Sequence, residues 1–173
     1  MLPSLLKFFQ NKDHFDILRR YRYGANKEKF SASILDWFTV NYAKKYGVEY
    51  TILKMGRKKI VHVEQSYNAA LNAYHKEYFD PFARGSNRGQ KIFIENEGEY
   101  VETTIRQLNY FRWAIEKGVV AYVDQHIDKI YEDMCVRSNR GKKKKLDSDK
   151  KQLSVSVSKS LRVTPMPNLA KTY

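Results

Sequence analysis

Apolar residues recur along the chain at two spacings, every three to four positions and every second position, and the alternation predicts a mixed fold. Leu2 to Arg22 reads as helical with a break around Asn11 to Asp13, followed by a basic, turn-prone stretch from Tyr23 to Phe30. The segment 31–47 predicts an amphipathic helix. In it Ser33 and Asp36 resemble a capping pair, Ile34, Phe38, Tyr42 and Tyr46 recur every fourth residue, and Gly47 supplies the stop. Two β-prone runs, VEYTIL (48–53) and IVHVE (60–64), are joined by KMGRKK and predict a hairpin. After it Tyr67, Leu71, Tyr74 and Tyr78 share a helical stripe that must end before Asp80, because Pro81 disfavours helical geometry in its neighbour.

A basic loop, ARGSNRGQ (83–90), leads to a second predicted hairpin over 91–103 with its turn around Glu95 to Gly98. Thr104 and Gln107 form a capping-box pattern that opens a helix facing the core through Ile105, Leu108, Phe111 or Trp113, and Ile115, and closing at Gly118. A last helix, Val119 to about Val136, places Val119, Val123, Ile127, Ile130 and Met134 inward and Asp124, Asp128, Glu132 and Asp133 outward. Near the end, Leu153, Val155, Val157, Leu161 and Val163 alternate with polar residues like a strand with one buried face. Such a strand either returns to its own sheet or augments that of a neighbouring molecule. The expectation is a small, mainly helical α+β protein: a helical arm (1–30), a globular domain (31–136), a basic linker (137–152), and a strand and tail (153–173).

Composition narrows the class. Hydrophobic residues make up 42% and aromatic residues 14% of 173 positions, too much for an intrinsically disordered chain. No run of apolar residues is long enough for a membrane-spanning helix. The N-terminal MLPSLLKFFQNK lacks the basic region and cleavage site of a signal peptide and is read as a helix. A lone cysteine, Cys135, forms no internal disulfide, which fits a reducing compartment.

Charge changes the picture most. Lys and Arg number 32 against 19 Asp and Glu, for a net +13. Between Arg137 and Lys151 the sequence RSNRGKKKKLDSDKK carries a net +6 and one apolar residue, too few to bury against a core. Its Arg137, Arg140, Lys142, Lys143, Lys144, Lys145, Lys150 and Lys151 suit contact with phosphates; a nuclear-import signal and a plain linker are the other readings. Smaller basic groups occur at Arg57, Lys58 and Lys59 and at Arg84 and Arg88, the latter in RGSNRG, a phosphate-contacting or ordinary loop. In RRYRYGANK, Tyr21 and Tyr23 lie among arginines, either as a stacking surface for single-stranded nucleic acid or as a solvated helix end. The acidic outer face of the last helix argues against a groove-reading helix-turn-helix.

Catalytic signals are sparse. His14, His62, His75 and His126 are scattered without metal-ligand spacing, and no metal or cofactor is expected. His62, in an apolar strand, reads as structural. His75 and Glu77 flank a helix end near Asp80, and Glu64, Glu77 and Asp80 are the carboxylates a magnesium-dependent nuclease would need, at a spacing that is not diagnostic. His126 lies on a different helical face from Cys135, so the thiol lacks a base. The expectation is a non-enzymatic protein.

Three blocks carry a resemblance: HVEQSYNAALNAYHKEYFDPFARG (62–85), TTIRQLNYFRWAIEKGVVAYVDQHIDKIYEDM (103–134) and KKQLSVSVSKSLRV (150–163), with DWFTVNYAKKYGVEY (36–50) fitting as well. Together they resemble a family of small basic proteins of large double-stranded DNA viruses, through Phe79, Asp80, Pro81, Phe82, Gln107, Leu108, Asn109 and Trp113. Ala83 stands where that pattern has a cysteine, and Arg106 where it has a glycine. The resemblance implies a viral origin and a virion-associated role, with host cytoplasm or nucleus as the site of synthesis and action, and carries no enzymatic activity with it. Two partner sets follow: viral DNA or another polyanion bound non-specifically, or capsid subunits contacted by the basic arm and C-terminal strand as by a minor capsid or scaffold protein. Self-association is compatible with both.

Overall fold

The computed structural model describes residues 2–24, 29–82 and 90–137. Contacts divide the chain into two units, Met1–Met134 and Cys135–Tyr173, and the fold is that of the first. It is α+β and mainly helical. Helices α1 (Leu2–Phe9) and α2 (Lys12–Tyr23) precede a composite helix built of α3 (Ala32–Trp37), a π-helical turn (Phe38–Tyr42) and α4 (Ala43–Tyr46). Strands β1 (Glu49–Lys54) and β2 (Arg57–His62) form one antiparallel hairpin. Helix α5 (Val63–Tyr74) and a 3₁₀ turn (Lys76–Tyr78) lead to a second antiparallel hairpin, β3 (Lys91–Asn96) and β4 (Glu99–Thr104). Helices α6 (Ile105–Glu116), α7 (Val119–Gln125) and α8 (127–137) follow.

The helix breaks follow local chemistry. Between α1 and α2, Asn11 accepts a hydrogen bond from the His14 backbone at 3.2 Å. Helix α3 begins two residues earlier than the capping pattern suggested: Ser31 takes the N-cap position without a side-chain bond, so Ser33 and Asp36 are not a cap. The fourfold recurrence from Ile34 to Tyr46 crosses the π turn, so Ile34 and Phe38 are buried while Tyr46 is 53% exposed. Thr39 donates to the Leu35 carbonyl within that turn and meets the hydroxyl of the fully buried Tyr110 at 3.3 Å. Burial pushes the Tyr110 hydroxyl well above its ordinary value.

Helix α5 stops at Tyr74, sooner than Pro81 alone requires, because His75 takes a positive φ of 57°. Tyr78 therefore leaves the stripe and is exposed. The last predicted helix breaks in two at His126, whose ring lies against Tyr122 at 4.2 Å and whose Nδ1 meets the Tyr122 carbonyl at 2.9 Å.

The residues that carry the family resemblance grip one another. Phe79 is buried against Tyr67, Tyr74, Tyr110 and Trp113, with ring centroids 5.4 to 5.9 Å away. Asp80 accepts from the Phe82 backbone at 3.0 Å. Gln107 donates to the Pro81 carbonyl at 3.0 Å and Asn109 to the Tyr78 carbonyl at 2.9 Å. The capping box at Thr104 is thus half made: Thr104 accepts from the Gln107 backbone at 3.4 Å, but the amide side chain is diverted to the 78–82 segment. Helix α6 is buried through Gln107, Leu108, Asn109, Tyr110 and Phe111 in succession, well beyond a single face.

Helices α1 and α2 put Leu5, Phe9, Phe15, Leu18 and Tyr21 into the same core. Three of the four acids expected on an outer face of the last helix meet bases of earlier segments, while Glu132 is exposed. Asp124 accepts from Arg20 at 2.5 Å and from the Tyr21 hydroxyl at 2.7 Å. Asp128 pairs with Lys29 at 2.6 Å. Asp133 accepts from Lys45, from the Trp37 indole at 3.1 Å and from the Tyr46 hydroxyl at 3.1 Å. Burial acts to raise the Asp133 carboxyl, yet these donors outweigh it and hold it below the ordinary carboxylate value.

Two measurements check this account. Gln107→Met leaves the Pro81 carbonyl and the Thr103 hydroxyl without their partner, and chemical denaturation should show a loss of about 1–3 kcal/mol. Because the Asp133 carboxyl is depressed, its contribution is present above the ordinary value of 3.8 and disappears as pH falls through the lower folded value. Thermal melts from neutral pH to below 3.8 should therefore show an acid-side loss in the wild type that is smaller in Asp133→Asn.

Candidate nucleic-acid interface

The two hairpins are built alike and used differently. Each turns in two residues, a non-glycine at positive φ followed by glycine: Met55 (51°) and Gly56 (73°) in the first, Glu97 (52°) and Gly98 (81°) in the second. That is the primed turn whose twist suits a two-residue hairpin. The connector KMGRKK is accordingly no loop. Lys54 ends β1, and Arg57, Lys58 and Lys59 belong to β2, which stops at His62 so that Val63 and Glu64 open α5.

The second hairpin is docked along its length. Glu97 pairs with Lys12, Glu99 with Arg19 at 2.5 Å, and Asn96 donates to the Gln10 carbonyl at 2.8 Å. Arg22 and Tyr23 donate to the Glu102 carbonyl at 2.9 and 3.2 Å. Over its described part, residues 19–24, the RRYRYGANK segment is packed against the second hairpin and Asp124, with Tyr23 still 46% exposed at the helix end. Tyr21 is buried, its hydroxyl raised by that burial and by Asp124, and the arginines are occupied by Glu99, Asp124 and the β4 backbone. A groove of about 750 Å³ lies there, but Asp16 and Glu99 share its walls with Arg19 and Arg20.

The first hairpin is docked at its base alone. Val61 is buried, and Tyr50 stacks on Tyr122 at 5.0 Å and donates to the Lys117 carbonyl at 3.0 Å. Burial, with the nearby Tyr122, raises the Tyr50 hydroxyl. Gly118, at φ 72°, brings the α6–α7 turn so close that an added Cβ would lie 3.0 Å from Ile52 Cγ2 and 3.4 Å from Tyr50 Cε2. Beyond this anchor every residue from Leu53 to Ile60 is exposed. Directly opposed residues share a face in an antiparallel pair, so Lys54, Arg57 and Lys59 line one side and Thr51, Leu53, Lys58 and Ile60 the other.

Lys54, Arg57, Lys58, Lys59 and Lys117 make no ion pair among the described residues. Lys59 and Lys117, with Glu116, line a groove of about 450 Å³ between β2, α5 and the end of α6. Partial burial lowers the Lys117 ammonium, and the like charges of Lys59 and Lys54 lower it further. Concentrated positive charge of this kind attracts phosphates and is relieved when they bind. Of the basic residues picked from the sequence, Arg57, Lys58 and Lys59 join this cluster. Lys54 was legible as part of the KMGRKK run; Lys117 had no local signal, since contact across Gly118 brings it in.

The remaining predicted residues fare differently. Arg137 is exposed at the end of α8. Arg84, Arg88, Arg140, Lys142, Lys143, Lys144, Lys145, Lys150 and Lys151 lie outside the described residues, as do Leu153, Val155, Val157, Leu161 and Val163. His62 is not a structural histidine of an apolar strand: it is exposed and pairs with Glu49 at 2.9 Å. Glu64 faces Lys44 at 3.7 Å and Asp80 caps Phe82, and no cluster of three or more His, Cys, Asp or Glu among the described residues could hold a metal. No described helix is long and apolar enough to cross a membrane.

Fold and surface together define a small, mainly helical α+β protein with one docked and one projecting hairpin, the latter cationic. The chain belongs to the family of unknown function DUF7197, which it matches over residues 4–169. It is 34% identical over 171 residues to the uncharacterized protein L507 of Acanthamoeba polyphaga mimivirus, an alignment covering 98% of this chain and 66% of the relative. It is thus a member of a large-DNA-virus protein family, and it spans just under two thirds of that relative's length. No solved structure matches.

Gly118→Ala tests the anchor. A β-carbon at positive φ that also presses on Ile52 should destabilise the fold by about 1–2 kcal/mol from the backbone alone, read by denaturant titration.

Proposed function

We propose that the protein is a non-enzymatic structural protein of the virion that binds nucleic acid without base specificity. The observation that carries this reading is the uneven pairing of charge. Bases of α2, α4 and β3 are matched by carboxylates, whereas Lys54, Arg57, Lys58, Lys59 and Lys117 gather on one projecting hairpin and the adjoining turn and, among the described residues, make no ion pair. Such a cluster repels itself and gains free energy when phosphates replace solvent counterions. The lysine-rich sequence 137–151 adds a second cationic element of the same chemistry. Membership in a family with a mimivirus relative supports the viral origin that this reading requires.

Filter binding to random-sequence DNA over a salt series provides the test. Affinity should fall steeply with salt, and the combined Lys54→Gln, Arg57→Gln, Lys58→Gln and Lys59→Gln variant should bind more weakly, its log–log salt slope shallower by about 3 to 4. Affinity indifferent to salt, or a variant slope equal to that of the wild type, rejects the hairpin as the interface.

A further inference from the structure

Phosphate contact accounts for the cations of the first hairpin and leaves its apolar residues unexplained. Met55 is 94% exposed, Leu53 74% and Ile60 61%. Leu53 and Ile60 are diagonal neighbours on one face of the ribbon, and Met55 continues that apolar line onto the tip. The tip position is conformationally demanding. Its φ of 51° favours Asn, Asp or Gly, and methionine is accepted there at a cost. In the other hairpin the equivalent strained residue, Glu97, is held by Lys12, so the fold itself uses that side chain. Among the described residues none packs over Met55, which stays 94% exposed. A strained, unsupported apolar residue at the end of a cationic ribbon points to a contact outside the molecule.

Resting on the nucleic-acid reading above, we propose that β1–β2 is a DNA-bending ribbon: Met55 wedges between base pairs from the minor groove while Lys54, Arg57, Lys58 and Lys59 take the flanking phosphates. The ligand class is then duplex DNA rather than single strands. Apolar wedges of this type, methionine among them, unstack a base step and kink the duplex, the distortion being offset by the extra protein surface the bent DNA meets. The dimensions agree. Three residues beyond the anchored Ile52 extend the tip by about 10 Å, and the minor groove is about 7.5 Å deep. Charge placement agrees as well, because Lys54 and Arg57 directly flank the Met55–Gly56 turn and so fall on the groove rims when the tip is inserted. Methionine's unbranched, polarizable side chain suits a slot between bases whose shape varies with sequence.

The experiment uses the full chain and a random-sequence duplex of about 30 base pairs, labelled at both ends for energy transfer. Wild-type protein should shorten the end-to-end distance and prefer the duplex to its single strands. Met55→Asn places a residue better suited to the turn at the tip, so its melting temperature should not fall. It should nevertheless abolish the shortening and weaken binding by about tenfold, since the wedge contact is lost. Several outcomes overturn the wedge while leaving salt-sensitive DNA binding intact: shortening by Met55→Asn equal to that by wild type, wild-type binding without shortening, or preference for the single strand. Absence of salt-sensitive DNA binding removes the nucleic-acid reading itself, and with it the wedge. Binding to anionic phosphatidylserine vesicles in place of DNA assigns the apolar tip to a membrane surface and also overturns the proposal.

Discussion

Asp124 of α7 and Asp133 of α8 draw two distant parts of the chain onto the last helices. Arg20 and Tyr21 reach Asp124 from the end of α2, and Lys45, Trp37 and Tyr46 reach Asp133 from the composite helix. Each carboxylate receives at least two donors, so its loss of hydration is compensated by charge-assisted hydrogen bonds rather than left open. The pairing also orients what lies beneath it. With Tyr21 fixed to Asp124, its ring sits in the core beside Phe111, and α2 presents Arg19 and Arg22 to β4. The same helix α2 thus joins Asp124 of α7 to the second hairpin.

This arrangement sorts the molecule's positive charge. A protein with a large cationic surplus folds against self-repulsion, and here the repulsion is relieved where elements pack and retained where they do not. The first hairpin is held at its base by Tyr50, Ile52 and Val61, in contact with Tyr122 and the Gly118 turn. Past that point its cations face solvent together. Two hairpins with the same turn geometry have therefore diverged into a packing element and a projection, distinguished by whether the tip residue is an ion-paired glutamate or a solvent-exposed methionine.

The residues that carry the sequence resemblance serve the interior. The Phe79 ring meets Trp113, the Pro81 carbonyl accepts from Gln107 and the Tyr78 carbonyl from Asn109, closing the 78–82 segment over α6, while Asp80 accepts from the Phe82 backbone. A motif rich in polar residues resembles a reactive site when read linearly. In the fold its polar groups satisfy backbone carbonyls that have left regular structure and would otherwise be buried unpaired.

Much of the fold was legible in the sequence, because it depends on short-range physics. The break at Asn11, the stop at Gly118, the two hairpins and the inward positions of α6 and α8 follow from capping chemistry, glycine at positive φ and apolar periodicity. The projecting cations at Arg57, Lys58 and Lys59 were legible as well, as a charge run beside a glycine. Other features required the tertiary structure. The π turn, the early end of α5 at His75 and the diverted Gln107 side chain depend on neighbours remote in sequence. So do the pairing of Arg20 with Asp124, which occupies part of RRYRYGANK, and the entry of Lys117 into the hairpin cluster. Local periodicity states which side of an element is polar; only the packed chain decides whether that polar side meets water or an opposite charge, because a Coulomb interaction depends on distance in space and not along the sequence.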